Sequence, residues 1–265
     1  MGILNVTPDS FSDGGDFLSP ERAMARAMEM VGEGAAIIDV GPESTRPGSA
    51  AVTADEQIRR AIPVIREIRG RDSKLAISID TRSADVARAA IDAGADMVND
   101  VSALGDDPEM VRVVADAKVA VVLMHRRGTA ADMQKDGGPH YDDVIGEIRA
   151  FLAERIEFAE RHGVGRSRMI IDPGIGFGKR TEHNLAILRG LREFATLGPP
   201  VMVGASRKRF LGEITGVEDP QRRDNASLAC AVLAAERGAS IIRPHDVRAT
   251  VEALRLLAAA EPLAF

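Results

Sequence analysis

Eight successive apolar runs in this sequence each close on a polar residue: Asn5, Asp39, Asp80, Asn99, His125, Asp172, Ser206 and the pair Arg243 and His245. The residue types divide into two chemistries. Asp80, Asn99 and Asp172 offer acceptors and an amide, a set suited to a neutral heterocycle that carries N–H donors and carbonyl acceptors. Arg46, Lys208, Arg243 and His245 offer donors for an anion. One site would then hold a polar heterocycle at its floor and a phosphate or diphosphate at its rim. A single strand-end Asp or Asn is as readily a helix cap or a turn residue. Six or seven together, several at the last buried position of their run, are not explained that way.

The runs that carry these residues are GILN (2–5), AAIIDVG (35–41), LAISIDT (75–81), ADMVND (95–100), KVAVVLMH (118–125), RMIIDPG (168–174), PVMVGAS (200–206) and SIIRPHD (240–246). Rich in Val, Ile and Met, each reads as a strand buried on both faces. Between them lie segments of helical spacing, among them SPERAMARAMEMVGEGA, ADEQIRRAIPVIREIRG, YDDVIGEIRAFLAERIEFAERHG and DPQRRDNASLACAVLAAERGA, several ending in Gly. Eight strands alternating with eight helices in 265 residues predict a single (β/α)8 TIM barrel over 1–265, near the usual size of about 250 residues, with the site at the C-terminal ends of the strands. An open, doubly wound sheet is the alternative. The third unit is expected to be the tightest, with a short helix between Asp80 and Asn99.

Composition excludes several other functions. The net charge of −6 arises from 34 basic and 40 acidic residues without basic blocks, so no nucleic-acid or anionic-membrane surface is expected. Aromatic residues make up 3% of the chain, too few for base-stacking platforms. No apolar stretch approaches the roughly 20 residues of a membrane span, and the start of the chain lacks the pattern of a signal peptide. The one cysteine, Cys230, reads as a buried helical thiol and fits a cytoplasmic location. The run DPGIGFGKRT has neither P-loop nor dinucleotide-fingerprint spacing, and no His or Cys cluster suggests zinc. Among the histidines, His162 and His183 read as solvent-facing, His125 as either a satisfied rim residue or a substrate contact, and His140 is undecided. The loop NVTPDSFSDGG, small and polar with two glycines, could order over a bound reactant.

The stretches MGILNVTPDSFSDGG, GPESTRPGS, SIDT, VND, LMH, IIDPGIGFGK, VGASRK and RPHDV, in that order, resemble the dihydropteroate synthase family from Gly2 to about Val247. The family's fold is a (β/α)8 barrel. The resemblance implies a transferase of folate biosynthesis that joins 6-hydroxymethyl-7,8-dihydropterin diphosphate to 4-aminobenzoate by a dissociative displacement, with Mg2+. It implies pterin binding by Asp80, Asn99, Asp172 and Lys208, and diphosphate binding by Asn5, Thr45, Arg46, Arg243 and His245, with Asn5 also on the metal. It places Thr7, Pro8, Pro47, Phe177, Ser206 and Arg207 around the aminobenzoate, and gives catalytic roles to Asp80, Asp172, Lys208, Arg243 and His245. A cytoplasmic homodimer, the target of sulfonamides, is implied by analogy.

Two departures from the family pattern carry expectations of their own. Members usually have residues ahead of MGILN, so either the barrel floor here is less covered or the numbering begins inside a longer chain. Arg126 and Arg127 stand where many members have an apolar residue and Gln, which alters the wall of the pterin pocket. The rival readings are a noncatalytic pterin-binding paralogue and a pterin-dependent methyltransferase.

Overall fold

The structure is a computed structural model and describes residues 1–7, 20–43, 52–128 and 140–260. All eight expected strands are present: β1 (Gly2–Asn5), β2 (Ile37–Gly41), β3 (Ala76–Asp80), β4 (Met97–Asp100), β5 (Ala120–Met124), β6 (Met169–Asp172), β7 (Met202–Val203) and β8 (Ile241–Ile242). β1 to β6 form one parallel ladder in chain order and β7 pairs with β8. Backbone hydrogen bonds complete the circle, from Ile171 N–H to Pro200 C=O (2.9 Å) and from Ile3 N–H to Pro244 C=O (3.2 Å). The fold is therefore a closed TIM barrel and not an open sheet.

The helices are α1 (Pro20–Gly32), α2 (Ala54–Arg71), α3 (Ala84–Asp92), α4 (Met110–Ala117), α5 (Val144–Arg161), α6 (Thr181–Arg189), α7 (Leu191–Ala195), α8 (Arg209–Thr215), α9 (Asp224–Glu236) and α10 (Val247–Ala260). The expected one helix per unit fails in the sixth and seventh units, where Gly190 separates α6 from α7 and Gly216 ends α8. The third helix is short, at 9 residues, but α4 is shorter at 8 because the stretch after β4 is spent in turns.

Strand side chains alternate between two surfaces, and here both are apolar over most of their length. Ile38, Val40, Ile77, Ile79, Val98, Val121, Leu123 and Ile171 join the large core shared with the helices. A separate small cluster, Met97, Val122, Ile170 and Met202, fills the barrel interior, with Met1, Ile37, Ala120 and Ile241 packed against it. The floor expected to be less covered is thus filled with side chains.

Candidate active site

Alternation at period two decides what points into the barrel above that interior cluster. Two residues beyond Ile37, Met97, Ile170 and Ile241 stand Asp39, Asn99, Asp172 and Arg243, which share their inward face. Register then sets their heights. Asp80 is paired with Asn99 and Asp172 with Met124, whereas Asp39 is level with Ser78, one inward layer deeper than Asp80.

Arg243 joins the two layers. Its Nη2 lies 2.5 Å from Asp39 Oδ2 and 2.9 Å from Asp80 Oδ2, and its Nε donates to Asp39 Oδ2 at 2.7 Å. Asn99 Nδ2 donates to the same oxygen of Asp39 at 3.0 Å. Burial alone would lower the guanidinium's affinity for its proton, but the two carboxylates more than offset this and the net shift is upward. The second oxygens, Asp39 Oδ1 and Asp80 Oδ1, are buried and accept no hydrogen bond. Leaving such acceptors empty costs about 1–3 kcal/mol each, so both are poised for an incoming donor. Burial raises the Asp80 carboxyl to about 7, against the pull of Arg243 and with help from Asp39, Asp100 and Glu43.

On the opposite wall Asp172 Oδ1 accepts from Gly174 N–H at 2.7 Å. Burial raises its carboxyl above the ordinary range, with Lys208 the largest opposing influence. Lys208 donates to the Ile175 carbonyl, and its Nζ lies 4.3 Å from the centre of the Phe177 ring, a cation–π contact. Burial lowers its ammonium to about 8, with Asp172 opposing. Their partners Gly174, Ile175 and Phe177 share one loop, 173–180, which lies hard against the residues that follow β5. A side chain at Gly178, where φ is +63°, would collide with the Arg127 carbonyl.

After β7 and β8, Ser206 Oγ stands 2.9 Å from His245 Nδ1 and accepts from His245 N–H at 3.3 Å. Arg207 has φ +60°, and its guanidinium makes a two-pronged pair with Asp224 on α9, at 2.7 and 3.0 Å. Its charge is thus already committed to the helix. Asn5 closes β1, paired with Gly41, and Thr7 is buried just beyond it. Pro8, Thr45, Arg46 and Pro47 lie outside the described residues.

No group of three or more His, Cys, Asp or Glu among the described residues could hold a metal. Asn5 supplies one neutral amide oxygen, 3.3 Å from where a Cβ on Gly41 would stand. Such a donor fits Mg2+ that arrives with its phosphates and keeps several waters, as this ion prefers.

Several expectations change. His183 is buried, not solvent-facing: its Nδ1 accepts from the Arg180 N–H at the start of α6, and its ring packs edge-on against Tyr141. His162 is exposed as expected. His125 is buried, lies 2.9 Å from Lys179 Nζ, and is driven by burial and then by the Lys179 charge down to about 2, so it is a satisfied neutral ring. Arg126 pairs with Asp106, while Arg127 pairs with Glu147 at 2.6 Å and covers the Tyr141 ring at 4.0 Å. Cys230 is buried in α9, where burial pushes its thiol up to about 11. Asp39 and Lys179 were given no role from sequence. Asp39 carries the signal of the others, an acid closing an apolar run, whereas Lys179 has no local signal.

Comparison with known proteins agrees with this geometry. The family described as "Pterin binding enzyme" matches residues 1–245. Dihydropteroate synthase of Mycobacterium leprae is 46% identical over 264 residues, 98% of this chain and 92% of that protein. The Xanthomonas albilineans dihydropteroate synthase with 4-aminobenzoic acid superposes with a TM-score of 0.91 at 48% identity, covering 99% of this chain and 93% of that one. The structure of that enzyme with 7,8-dihydropteroate gives 0.88 at 45% identity, with the same coverage. Among the described residues no helix is long and apolar enough to cross a membrane.

Proposed function

The chain belongs to the pterin-binding enzyme family and, within it, to the dihydropteroate synthases, and from that premise we propose how its own residues carry the reaction. These transferases of folate biosynthesis condense 6-hydroxymethyl-7,8-dihydropterin diphosphate with 4-aminobenzoate, giving 7,8-dihydropteroate and diphosphate. The pterin lies in the barrel mouth, where its amino and ring N–H groups satisfy acceptors of Asp80 and Asp172 while Asn99 and Lys208 orient the ring. The unpartnered, buried Oδ1 of Asp80 carries this reading, because an N–H donor on the ligand would offset the cost of its burial.

The displacement is dissociative. The bond from the methylene carbon to the diphosphate oxygen breaks first and its electron pair leaves with the diphosphate. The cation left behind is spread over the electron-rich dihydropterin, and the carboxylates of Asp80 and Asp172 favour it electrostatically. The neutral arylamine nitrogen of 4-aminobenzoate then forms the new C–N bond and gives up a proton to solvent. Arg243 spends Nε and Nη2 on Asp39 and Asp80, which leaves Nη1 for the departing anion alongside His245, Thr45 and Arg46. Bound Mg2+, held through Asn5, would neutralise part of the diphosphate charge. Thr7, Pro8, Pro47, Phe177, Ser206 and Arg207 frame the aminobenzoate.

We assign the protein to the cytoplasm as a homodimer. Ile214, Leu233 and Leu256 are the large exposed apolar side chains among the described residues, and two of the three lie on α9 and α10. The adjacent faces of these helices offer the apolar surface that a two-fold contact needs.

The deciding experiment measures diphosphate release with Mg2+ and the pterin diphosphate, with and without 4-aminobenzoate. Release should require 4-aminobenzoate and fall at least about a hundredfold in Asp172→Asn and Lys208→Met. Substrate binding without release would make the protein a pterin-binding paralogue.

A further inference from the structure

Lys179 has no part in the scheme above, yet it is only 5% exposed at the edge of the site. Its Nζ lies 2.9 Å from His125 Nδ1, 3.2 Å from the His125 carbonyl and 3.0 Å from the Phe177 carbonyl. An ammonium has three protons to donate, and a neutral amine has two protons and one lone pair. In either form these three partners use the whole hydrogen-bonding capacity of the nitrogen, so it has nothing left with which to reach a substrate.

What the side chain does hold is a junction. Two of its partners belong to the end of β5 and the third is the backbone of Phe177, in the loop after β6. Tyr141 adds a bond from its hydroxyl to the Gly178 carbonyl at 3.0 Å, further along the same loop. From the other side Lys208 bonds the Ile175 carbonyl and sits 4.3 Å from the Phe177 ring. Phe177 is thus gripped by its carbonyl through one lysine and faced on its ring by another.

We propose that Lys179 is a positioning residue for the aminobenzoate subsite: a buried fastener that ties the Phe177 backbone to the end of β5 and so fixes where the ring stands beside Lys208. The inference rests on reading Phe177 as part of that subsite. It predicts an effect weighted towards 4-aminobenzoate, because the pterin residues Asp80 and Asn99 lie on other strands, whereas Asp172 and Lys208 feel the Lys179 charge across space and not through a hydrogen bond to it.

The test is steady-state kinetics of Lys179→Met, which keeps the length of the stem and removes all three bonds. The KM for 4-aminobenzoate should rise about tenfold, with kcat and the KM for the pterin diphosphate changed by less than about threefold. A purely structural residue would lower the melting temperature and kcat and leave both KM values in place; that result, or no change at all, overturns the inference. Should Lys179→Met fail to fold, His125→Leu removes one of the three partners, and an aminobenzoate KM raised about threefold supports the inference while an unchanged one overturns it. Phe177→Ala is measured alongside. If it leaves the aminobenzoate KM unchanged, the subsite reading fails and takes the inference with it. If it raises that KM while the folded Lys179 and His125 variants do not, the inference alone fails.

Discussion

Two acids at neighbouring strand ends show how hydrogen-bond satisfaction separates a structural carboxylate from one with room for a ligand. Asp100 accepts from Ser102 N–H at 2.8 Å, Ser102 O–H at 2.6 Å and Leu104 N–H at 2.8 Å, and so organises the turn after β4. Asp80 has one oxygen on Arg243 and the other on nothing. Burial raises both carboxyls, but only Asp80 has capacity to spare for a ligand. Its rise from 3.8 to about 7 means that the fold binds this proton more tightly than the unfolded chain does. That contribution therefore stabilises at low pH and is withdrawn as pH rises through this interval. In the proposed scheme the pterin N–H groups bind the ionised form, and the Lys208 ammonium, which is held near 8, is needed as well. The pH profile of kcat/KM for the pterin diphosphate should then be a narrow bell, rising near 7 and falling near 8. Lys208→Arg should move the alkaline limb upward, and Asp80→Asn should remove the acid limb at the cost of a lower plateau. A profile whose limbs stay put in both variants would show that neither group controls it.

Among the elements, the loop after β6 carries the densest set of constraints. Asp172, Phe177 and Lys179 must all be reached within one short turn that passes close under the end of β5. This is why Gly178 sits at positive φ against a backbone carbonyl. Gly178→Ala should cost about 2 kcal/mol or more, read as a lowered denaturation midpoint, because strain and a collision with rigid backbone add. Gly216 also has positive φ, at +73°, but faces open space. Gly216→Ala should therefore cost only about 1 kcal/mol, the backbone strain alone. Equal losses at the two positions would mean that the close approach at β5 is not a constraint. Across the barrel, the chain after β2 is held by charge instead: Glu43 accepts from Val52 N–H at 3.0 Å and pairs with Arg82 at 3.3 Å, and Arg82 continues to Asp106 at 2.9 Å.

For the whole molecule, closure of the barrel brings the last strand beside the first and so delivers Arg243 to the acids of β2 and β3. Circular order also leaves α9 and α10 as neighbours with Leu233 and Leu256 outward, the latter 72% exposed. A double variant, Leu233→Glu and Leu256→Glu, should convert the proposed dimer to monomer in sedimentation velocity, since two charges per protomer cannot be desolvated in an apolar contact. A variant that still sediments as a dimer would place the contact on another face.

The local sequence determined the strand count and the inward polar ends, Asp80, Asn99 and Asp172 among them, because these depend on patterns a few residues long. Alternation at period two places Asp172 on the same face as Ile170 whatever the rest of the chain does. Family motifs extended this to Phe177, Ser206 and Arg207 by resemblance. Only the tertiary structure decided which charges meet. Arg243 and Asp39 lie 204 positions apart, and nothing near either residue tells which carboxylate the guanidinium will choose. Lys179 and His125 are 54 positions apart, and a lysine in a glycine loop reads as a solvated charge until β5 is laid against it. His183 departs from its expected exposure for the same reason, since its helical neighbourhood is ordinary and the ring it packs on, Tyr141, lies 42 residues upstream (183 − 141). Spacing along the chain specifies the direction of a side chain, whereas its partner and its burial follow from contacts made when the barrel closes.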